Sequence, residues 1–471
     1  MTSAQAENAL NARIVLSDNK LLRKPMEITT IILAAGQGTR MVSDLPKVLH
    51  PLNGRPLIHY ALETAEAIGT QKPVVVIGNG AEDVRQAVGA RATFALQEKR
   101  LGTAHAVQAA EKAFAGYEGL VLVVAADMPL LTRETLQRMV EDQLSVEAPM
   151  TMLTVRLQDS HGFGRIVRAA DGKVTSIVEE AHATPAQLQI DECNVGAYCF
   201  KSSWLWDTLK EIKLSPKGEY YLTDLVEAAV AQDKEVRTIL LADKDEALGI
   251  NNRVHLSEAE AVVRWRINRA YMLAGVSMID PDQVYIEAGV KIGKDTLLLP
   301  GTRLTGSTVI GEHCEIGPNT IIHSSSVGDR CTLLASVIEG AIIEDHVGMG
   351  PFCHLRKGAH LGSHVHMGNF GEVKDSHLSA GVKMGHFSYI GNAEIGENVN
   401  IGAGTITCNF DGEHKHPTQI GAEAFIGSDT MLVAPVKIGK GARTGAGSVV
   451  THDVPDGDVV VGVPARKLEG K

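Results

Sequence analysis

The sequence predicts an α/β protein in two unlike parts: a doubly wound, Rossmann-like domain, then a parallel β-helix of hexapeptide repeats. Three observations predict it. From about Val284 to Gly462 glycine follows an aliphatic or methionine residue on a six-residue grid, as in Ile310-Gly311, Ile316-Gly317, Leu361-Gly362, Met367-Gly368, Ile420-Gly421 and Ile426-Gly427. Of the 47 glycines, 30 lie after residue 275 and 17 up to it. In the first half, short β-branched runs alternate with helical patterns instead.

One apolar residue in six suits a short strand that points one side chain inward, followed by a turn that glycine makes without a Cβ clash. Three such strands close one prism-like coil, and coils bury their insides only by stacking, which leaves flat outer faces open to neighbours. A glycine-rich β-sandwich would have irregular turns that do not keep this period. The grid breaks between Gly328 and Gly348, around His354 to Lys357, and across Thr405 to Thr418. Interruptions of a repeat are expected to be loops and to carry function.

Length suggests two to four domains at roughly 150 residues each. A net charge of -11 and a pI near 5.9, with no long basic run, argue against a nucleic-acid partner and leave anionic small molecules to be met by locally placed Lys and Arg. The six cysteines are scattered without C-x-x-C spacing, which fits a reducing cytoplasm better than a disulfide or zinc framework. No apolar run approaches the roughly 18 residues of a membrane span, so no membrane insertion is expected. Residues 1–25 are polar and alanine-rich, lack the apolar core of a signal peptide, and are expected to be a flexible extension.

Ile28 to Ala35 reads as a buried parallel strand running into Gly36-Gln37-Gly38-Thr39-Arg40. A glycine loop at the carboxyl end of such a strand is where α/β folds hold phosphates. The dinucleotide pattern fails because its third glycine falls on Met41, and no Gly-Lys-Ser/Thr follows to make a P-loop. Arg40 and Lys47 bring two cations to the same cradle. Val74 to Ile77 and Leu120 to Ala125 read as further strands, with helices over Leu57 to Ile68 and Ala104 to Phe114. Asp127 leaves the second of these strands at its carboxyl edge, where it can cap a turn or bind a metal.

The run L-A-A-G-Q-G-T-R-M-V-S-D-L-P-K-V-L-H, from Leu33 to His50, resembles the signature of the sugar-nucleotide pyrophosphorylases. With the hexapeptide array behind it, the chain from Met26 onward resembles the bifunctional GlmU family, which joins an N-acetylglucosamine-1-phosphate uridyltransferase to a glucosamine-1-phosphate acetyltransferase. The resemblance implies that Leu33, Ala34, Ala35, Gly36 and Lys47 hold UTP and its product, with Arg40 and Lys47 catalytic. It implies that Gln97, Gly102 and Thr103 read the uracil, and that Gly164, Glu179 and Asn194 surround the amino sugar. Asp127 and Asn251 fall on the ligands of Mg²⁺. Ala126 departs from the family's usual glycine, and a retuned ligand affinity is expected there.

Arg253 to Gly275 reads as a helix, with Ser257 a plausible N-cap ahead of Glu258 and Glu260 and its arginines on a solvated face. The expected divisions are therefore 1–25, a uridyltransferase domain over 26–252, a helical linker over 253–275 and an acetyltransferase β-helix over 276–471. Histidines crowd the array, and His364-x-His366 could place two imidazoles on one strand face, but no third ligand has metal spacing.

The segment G-H-F-S-Y-I-G-N-A-E-I-G-E-N-V-N-I-G-A-G-T-I-T-C-N-F-D-G is similar to the family's acetyltransferase core. The resemblance makes His386 the general base, a task that suits an imidazole, and Glu372 its assistant. Arg356 and Lys374 fall on cations for the phosphate of glucosamine 1-phosphate, and Tyr389 and Asn400 on its sugar contacts. The Ala403 amide falls on an oxyanion donor, and Asn409, Phe410, Ser428, Ala446 and Arg466 on acetyl-CoA contacts. Phe410 stands where the family has tyrosine, and Gly462 where it has arginine, which leaves Arg466 or Lys467 to meet the cofactor's phosphates. Further implications are a left-handed coil, a homotrimer, a cytoplasmic location, and UDP-N-acetylglucosamine as the product for peptidoglycan and lipopolysaccharide synthesis. The alternatives are a monofunctional sugar-1-phosphate nucleotidyltransferase with a regulatory β-helix and a non-catalytic assembly protein.

Overall fold

The computed structural model describes residues 26–78 and 81–468, so the expectation for residues 1–25 lies outside the described residues. The chain divides into two compact units, Met1–His50 with Pro56–Asn252 and Pro51–Arg55 with Arg253–Lys471.

The first unit is built on strands β1 (Ile28–Ala34), β2 (Val74–Gly78), β3 (Thr93–Gln97), β4 (Leu120–Ala125), β5 (Met150–Arg156), β6 (Arg165–Arg168), β7 (Val174–Val178), β8 (Glu192–Lys201) and β9 (Val236–Leu240). Their order is β9-β5-β8-β4-β1-β2-β3, with the β6/β7 hairpin attached to β8. β1 pairs in parallel with both β2 and β4. Runs such as Val-Val-Val-Ile are buried on both faces: Ile31, Val74 and Val76 enter one core, while Ile32, Val75 and Ile77 enter the other. Helix α1 (Leu57–Ile68) covers one face through Leu57, Ile58, Ala61, Leu62 and Ala65. The helix expected over Ala104 to Phe114 is instead α2 (Thr103–Ala109), followed by a 3₁₀ turn over Glu111–Phe114, the tightening that helix ends commonly adopt. β8 runs antiparallel between β4 and β5, so the sheet is mixed.

The second unit is a parallel β-helix of three sheets with twelve, ten and nine strands. Up to Ile438 each coil gives one strand to each sheet. In the largest sheet Leu298, Ile316, Leu333, Met367, Met384 and Ile401 stack in register and are at most 2% exposed. Met384 pairs with Ile401, seventeen residues on, whereas Ile401 pairs with Ile426, twenty-five on. The difference is the loop after Ile406–Cys408, the expected insertion. The other two breaks in the grid are not loops: Leu333 still pairs with Met349 and Ile338 with Leu355, because a coil can tighten its turns while keeping each strand beneath the next.

Helix α3 (Arg253–Leu273) closes the first coil. It starts directly after Asn252, so Ser257 lies past its first turn and is not the N-cap; Asn252 is an equally suitable capping type that the sequence reading passed over. The helix is also more than a solvated connector. Asn268 is fully buried and donates to the carbonyls of Pro281 (2.7 Å) and Val284 (2.9 Å), and the Arg264 guanidinium lies over the Tyr285 ring. An end of a solenoid needs such a cover for its open apolar interior. Among the described residues no helix is long and apolar enough to cross a membrane.

Candidate active sites

In the first unit the carboxyl ends of β1, β3 and β4 open on a cavity of about 530 Å³. Leu33, Ala34, Ala35, Gly36, Arg40, Lys47, Gln97, Gly102, Thr103 and Asp127 all line it. Gly38 has φ +65°, and a Cβ there would stand 2.6 Å from that of Lys47. Glycine thus lets the Lys47 backbone cross the loop and deliver its ammonium to the cavity. Lys47 is ion-paired to the Asp127 carboxylate, and Asn251 Oδ1 accepts from Arg40 Nη2 at 2.9 Å and from Lys47 Nζ at 3.4 Å. Two accepting oxygens and two cations therefore converge at the mouth of the glycine loop. The Gln97 side chain is 4% exposed and its Nε2 donates to the Gly102 carbonyl, which leaves Oε1 as the end that can address a base edge.

Gly164, Glu179 and Asn194 form a second group. The Gly164 carbonyl accepts from the Asn194 backbone at 2.9 Å, and Asn194 Nδ2 donates to the Tyr198 hydroxyl at 2.8 Å. Burial raises the pKa of Glu179, against a hydroxyl bond from Thr223. Next to Thr223, the Asp224 carboxyl is pushed up to about 6 by burial first, then by repulsion from Glu227 and Glu179. The sequence reading missed Arg100, Tyr221 and Thr223. The segment Tyr220 to Thr223 reaches the cleft because Tyr220 and Leu222 are hydrogen-bonded to Leu101 and Thr103, a pairing across 119 residues that no local pattern announces. The methyl of Ala126 is fully buried in the core.

On the β-helix the positions called from sequence sort into a line and a cluster. The line follows one corner. His386, Ala403, Ser428 and Ala446 each stand two residues past the inward residue of a strand in the largest sheet, namely Met384, Ile401, Ile426 and Thr444. Gly462 takes the next place, two past Val460. His386 is exposed, its ring has no hydrogen-bond partner among the described residues, and the Ala403 amide is likewise unengaged. Arg466 lies on the closing strand paired back to Val461, and Lys467 beside it is tied to Asp458 at 2.7 Å.

The cluster lies on the adjoining sheet, where Glu372 sits directly beneath Tyr389 and Lys374 beneath Gly391. Arg356 pairs with Glu372 at 3.1 Å. The Tyr389 hydroxyl folds over Gly391 next to the Asn409 amide, into space where a Cβ would strike both groups. Asn409 Nδ2 in turn donates to Asn392 Oδ1. Asn400 lies apart from this cluster, on the largest sheet between Lys383 and Phe425.

The long coil adds a residue that sequence reasoning overlooked. Its loop doubles back so that Phe410 and Lys415 bridge, while Asp411 accepts from the amides of Glu413 and His414 and from His416, contacts that hold its carboxyl well below the usual range. Lys415 is thereby set against Lys374, and lowers the pKa of that ammonium together with Arg356. Three cations thus share one face, an arrangement suited to a phosphate. Of the His364-x-His366 pair, His364 stacks on His346 at 4.7 Å, and among the described residues no group of three or more His, Cys, Asp or Glu that could hold a metal is found.

Residues 30–186 match the MobA-like NTP transferase domain family, 417–452 the bacterial transferase hexapeptide (six repeats) and 307–338 the hexapeptide repeat of succinyl-transferase. The chain is 45% identical to the bifunctional protein GlmU of Exiguobacterium sp. (strain AT1b), over 92% of this chain and 96% of that one. It is 44% identical to the protein of the same name from Pelobacter propionicus, over 94% and 97%. With that of Geobacillus thermodenitrificans it shares 45% identity over 92% and 94%. With both domain types present in order and a likeness that runs through cleft and coil alike, the chain belongs to the bifunctional GlmU family of uridyltransferase and acetyltransferase enzymes.

Proposed function

We propose that the β-helix acetylates glucosamine 1-phosphate with acetyl-CoA, and that the first unit then transfers a uridylyl group from UTP to the N-acetylglucosamine 1-phosphate so formed. The observation that supports a second, acetyl-transfer step beside that of the first unit is the corner line of His386, Ala403, Ser428 and Ala446. A coil that served only regulation or assembly has no need of an exposed histidine at the foot of a small-residue track, or of three cations gathered on the adjoining sheet.

In acetyl transfer Arg356, Lys374 and Lys415 hold the sugar phosphate and Tyr389 orients the ring from the same sheet, while the sugar contact assigned to Asn400 comes from the adjoining sheet. His386 takes a proton from the amine as its nitrogen bonds to the thioester carbonyl carbon. The Ala403 amide donates to the developing oxyanion. The carbon–sulfur bond then breaks, and coenzyme A leaves as a thiolate that recovers a proton. The thioester's carrier runs up the corner past Ser428 and Ala446, towards Arg466.

In uridyl transfer a phosphate oxygen of the sugar attacks the α-phosphorus in line and pyrophosphate leaves; the nucleophile is already ionised, so no base is needed. Arg40 and Lys47 neutralise the triphosphate as charge moves to the leaving group. The paired oxygens of Asp127 and Asn251 are hard donors that converge on Lys47, and such a pair suits Mg²⁺, which takes one or two protein ligands and completes its shell with phosphates. Bound magnesium would supply further neutralisation of the phosphates. Gln97 positions the base, and Glu179 and Asn194 the amino sugar.

A homotrimer is supported by an exposed phenylalanine ladder, with Phe352 stacked on Phe370 at 5.4 Å and Phe387 one coil on. Six free thiols support a cytoplasmic location. Mass spectrometry of glucosamine 1-phosphate incubated with acetyl-CoA, UTP and Mg²⁺ tests the pathway. The acetylated sugar phosphate and then UDP-N-acetylglucosamine are expected; uridyl transfer only from supplied N-acetylglucosamine 1-phosphate, with no coenzyme A released, would leave the monofunctional alternative.

A further inference from the structure

The segment that carries Asn251 is fastened to the segment that carries Asp127 at two points. At one, the Ile250 amide donates to the Asp127 carbonyl at 2.8 Å. At the other stands Glu246, a carboxylate only 5% exposed. Its Oε2 accepts from the Thr132 amide (2.8 Å) and hydroxyl (3.0 Å), and its Oε1 from the Thr135 hydroxyl (2.9 Å). Thr132 is itself the N-cap of the helix Arg133–Ser145, accepting from the Thr135 amide at 3.2 Å.

A buried carboxylate is costly unless its oxygens are hydrogen-bonded, and here three donors at the positive end of a helix meet it. Asp127 lines the cavity, and Asn251 meets the cavity residues Arg40 and Lys47 at the far end of the other segment. Glu246 lies five residues before Asn251, and Thr132 five residues after Asp127. Ala247 and Ile250 are buried in the core, so the segment stays folded without Glu246; what the carboxylate adds is a defined distance between the segments.

We propose that Glu246 is a positioning residue for uridyl transfer, which sets the spacing of the Asp127 and Asn251 oxygens and thereby the magnesium requirement. This rests on the assignment of that pair as the magnesium ligands. Groups that fix the orientation of metal ligands are typically worth about 10- to 100-fold in affinity or activity. Glutamine keeps the length of Glu246 but replaces one accepting oxygen with a donor, whereas alanine removes the clamp.

The test uses the full chain carrying Glu246→Gln, Glu246→Ala or Asp127→Asn. It measures the magnesium concentration that half-activates uridyl transfer at saturating UTP, the hydrogen exchange of the Ile250 amide without magnesium, and acetyl transfer as a check on folding. Expected for Glu246→Gln is about a tenfold rise in that concentration, with more in Glu246→Ala, faster exchange at Ile250 in both, and unchanged acetyl transfer. An unchanged magnesium requirement in folded Glu246 variants, alongside its loss in Asp127→Asn, overturns the role of Glu246 alone. A wild-type requirement in Asp127→Asn overturns the ligand pair, and the proposal with it.

Discussion

His386 and Ser428 occupy the same corner of the β-helix two coils apart, each two residues past the inward side chain of its strand. At about 4.8 Å per coil the two stand roughly 10 Å apart along the axis. An extended carrier bound along the corner must therefore pass Ser428 before its thioester reaches His386. Ser428→Trp is expected to raise the Michaelis constant for acetyl-CoA by roughly tenfold or more, about 1.4 kcal/mol of lost binding, and to leave that for UTP alone. Steady-state kinetics of both half-reactions check it; an unchanged acetyl-CoA constant would place the carrier on another face.

At the far end of that line stands Gly462, which has no side chain to offer a phosphate. Lys467 is occupied by Asp458, so Arg466 is the cation left to meet phosphate. Arg466→Ala is expected to weaken acetyl-CoA binding more than Lys467→Ala does and to leave a shallower salt dependence, because the ion pair that salt screens is gone. Titration of coenzyme A into each variant at low and high salt measures the contrast, and equal effects would remove the distinction between them.

Lys415 reaches the phosphate cluster only through the fold of the long coil. Lys415→Ala is expected to raise the Michaelis constant for glucosamine 1-phosphate while keeping that for acetyl-CoA, and to raise the pKa of Lys374, since a neighbouring cation is gone. NMR titration of the Lys374 ammonium reports the second effect directly; no upward movement would refute the contact.

Asp224 supplies a pH test. Its carboxyl titrates near 6 in the folded chain against an ordinary 3.8, so folding holds its proton more tightly. Ionisation therefore costs the folded state stability: nothing below about pH 4, where both states are protonated, and the full amount above about pH 6. Asp224→Asn removes that cost. The melting temperature of the variant minus that of the parent is expected to grow between pH 4 and 6 and to level off above; a difference that does not vary with pH would show that Asp224 titrates normally.

The coil was legible because its instruction is local and repeated. Ile316 fills the interior and Gly317 makes the turn whatever the rest of the chain does, and the same pair recurs until the stack is specified. The cleft was legible where chemistry is dense in sequence, as from Leu33 to Lys47. What escaped depends on distant pairing. Lys415 looks like one more loop lysine until Asp411 folds its loop, Tyr221 lines the cleft only because Leu222 is held by Thr103, and Glu246 matters only once Thr132 is above it. The antiparallel β8 escaped for a related reason: its residues are buried on both faces, as those of a parallel strand would be, so burial carries no sign of direction.

The central claim is that two chemically separate sites lie on one chain. His386→Asn is expected to lower acetyl transfer by about 10²- to 10⁴-fold with uridyl transfer intact, and Asp127→Ala to abolish uridyl transfer with acetyl transfer intact. The direct measurement is UDP-N-acetylglucosamine formed against time from glucosamine 1-phosphate, acetyl-CoA and UTP by each variant alone and by an equimolar mixture. Two separate sites predict almost no product from either variant and sustained formation by the mixture, because the acetylated sugar phosphate diffuses between molecules. A folded mixture that stays as inactive as its components would contradict it.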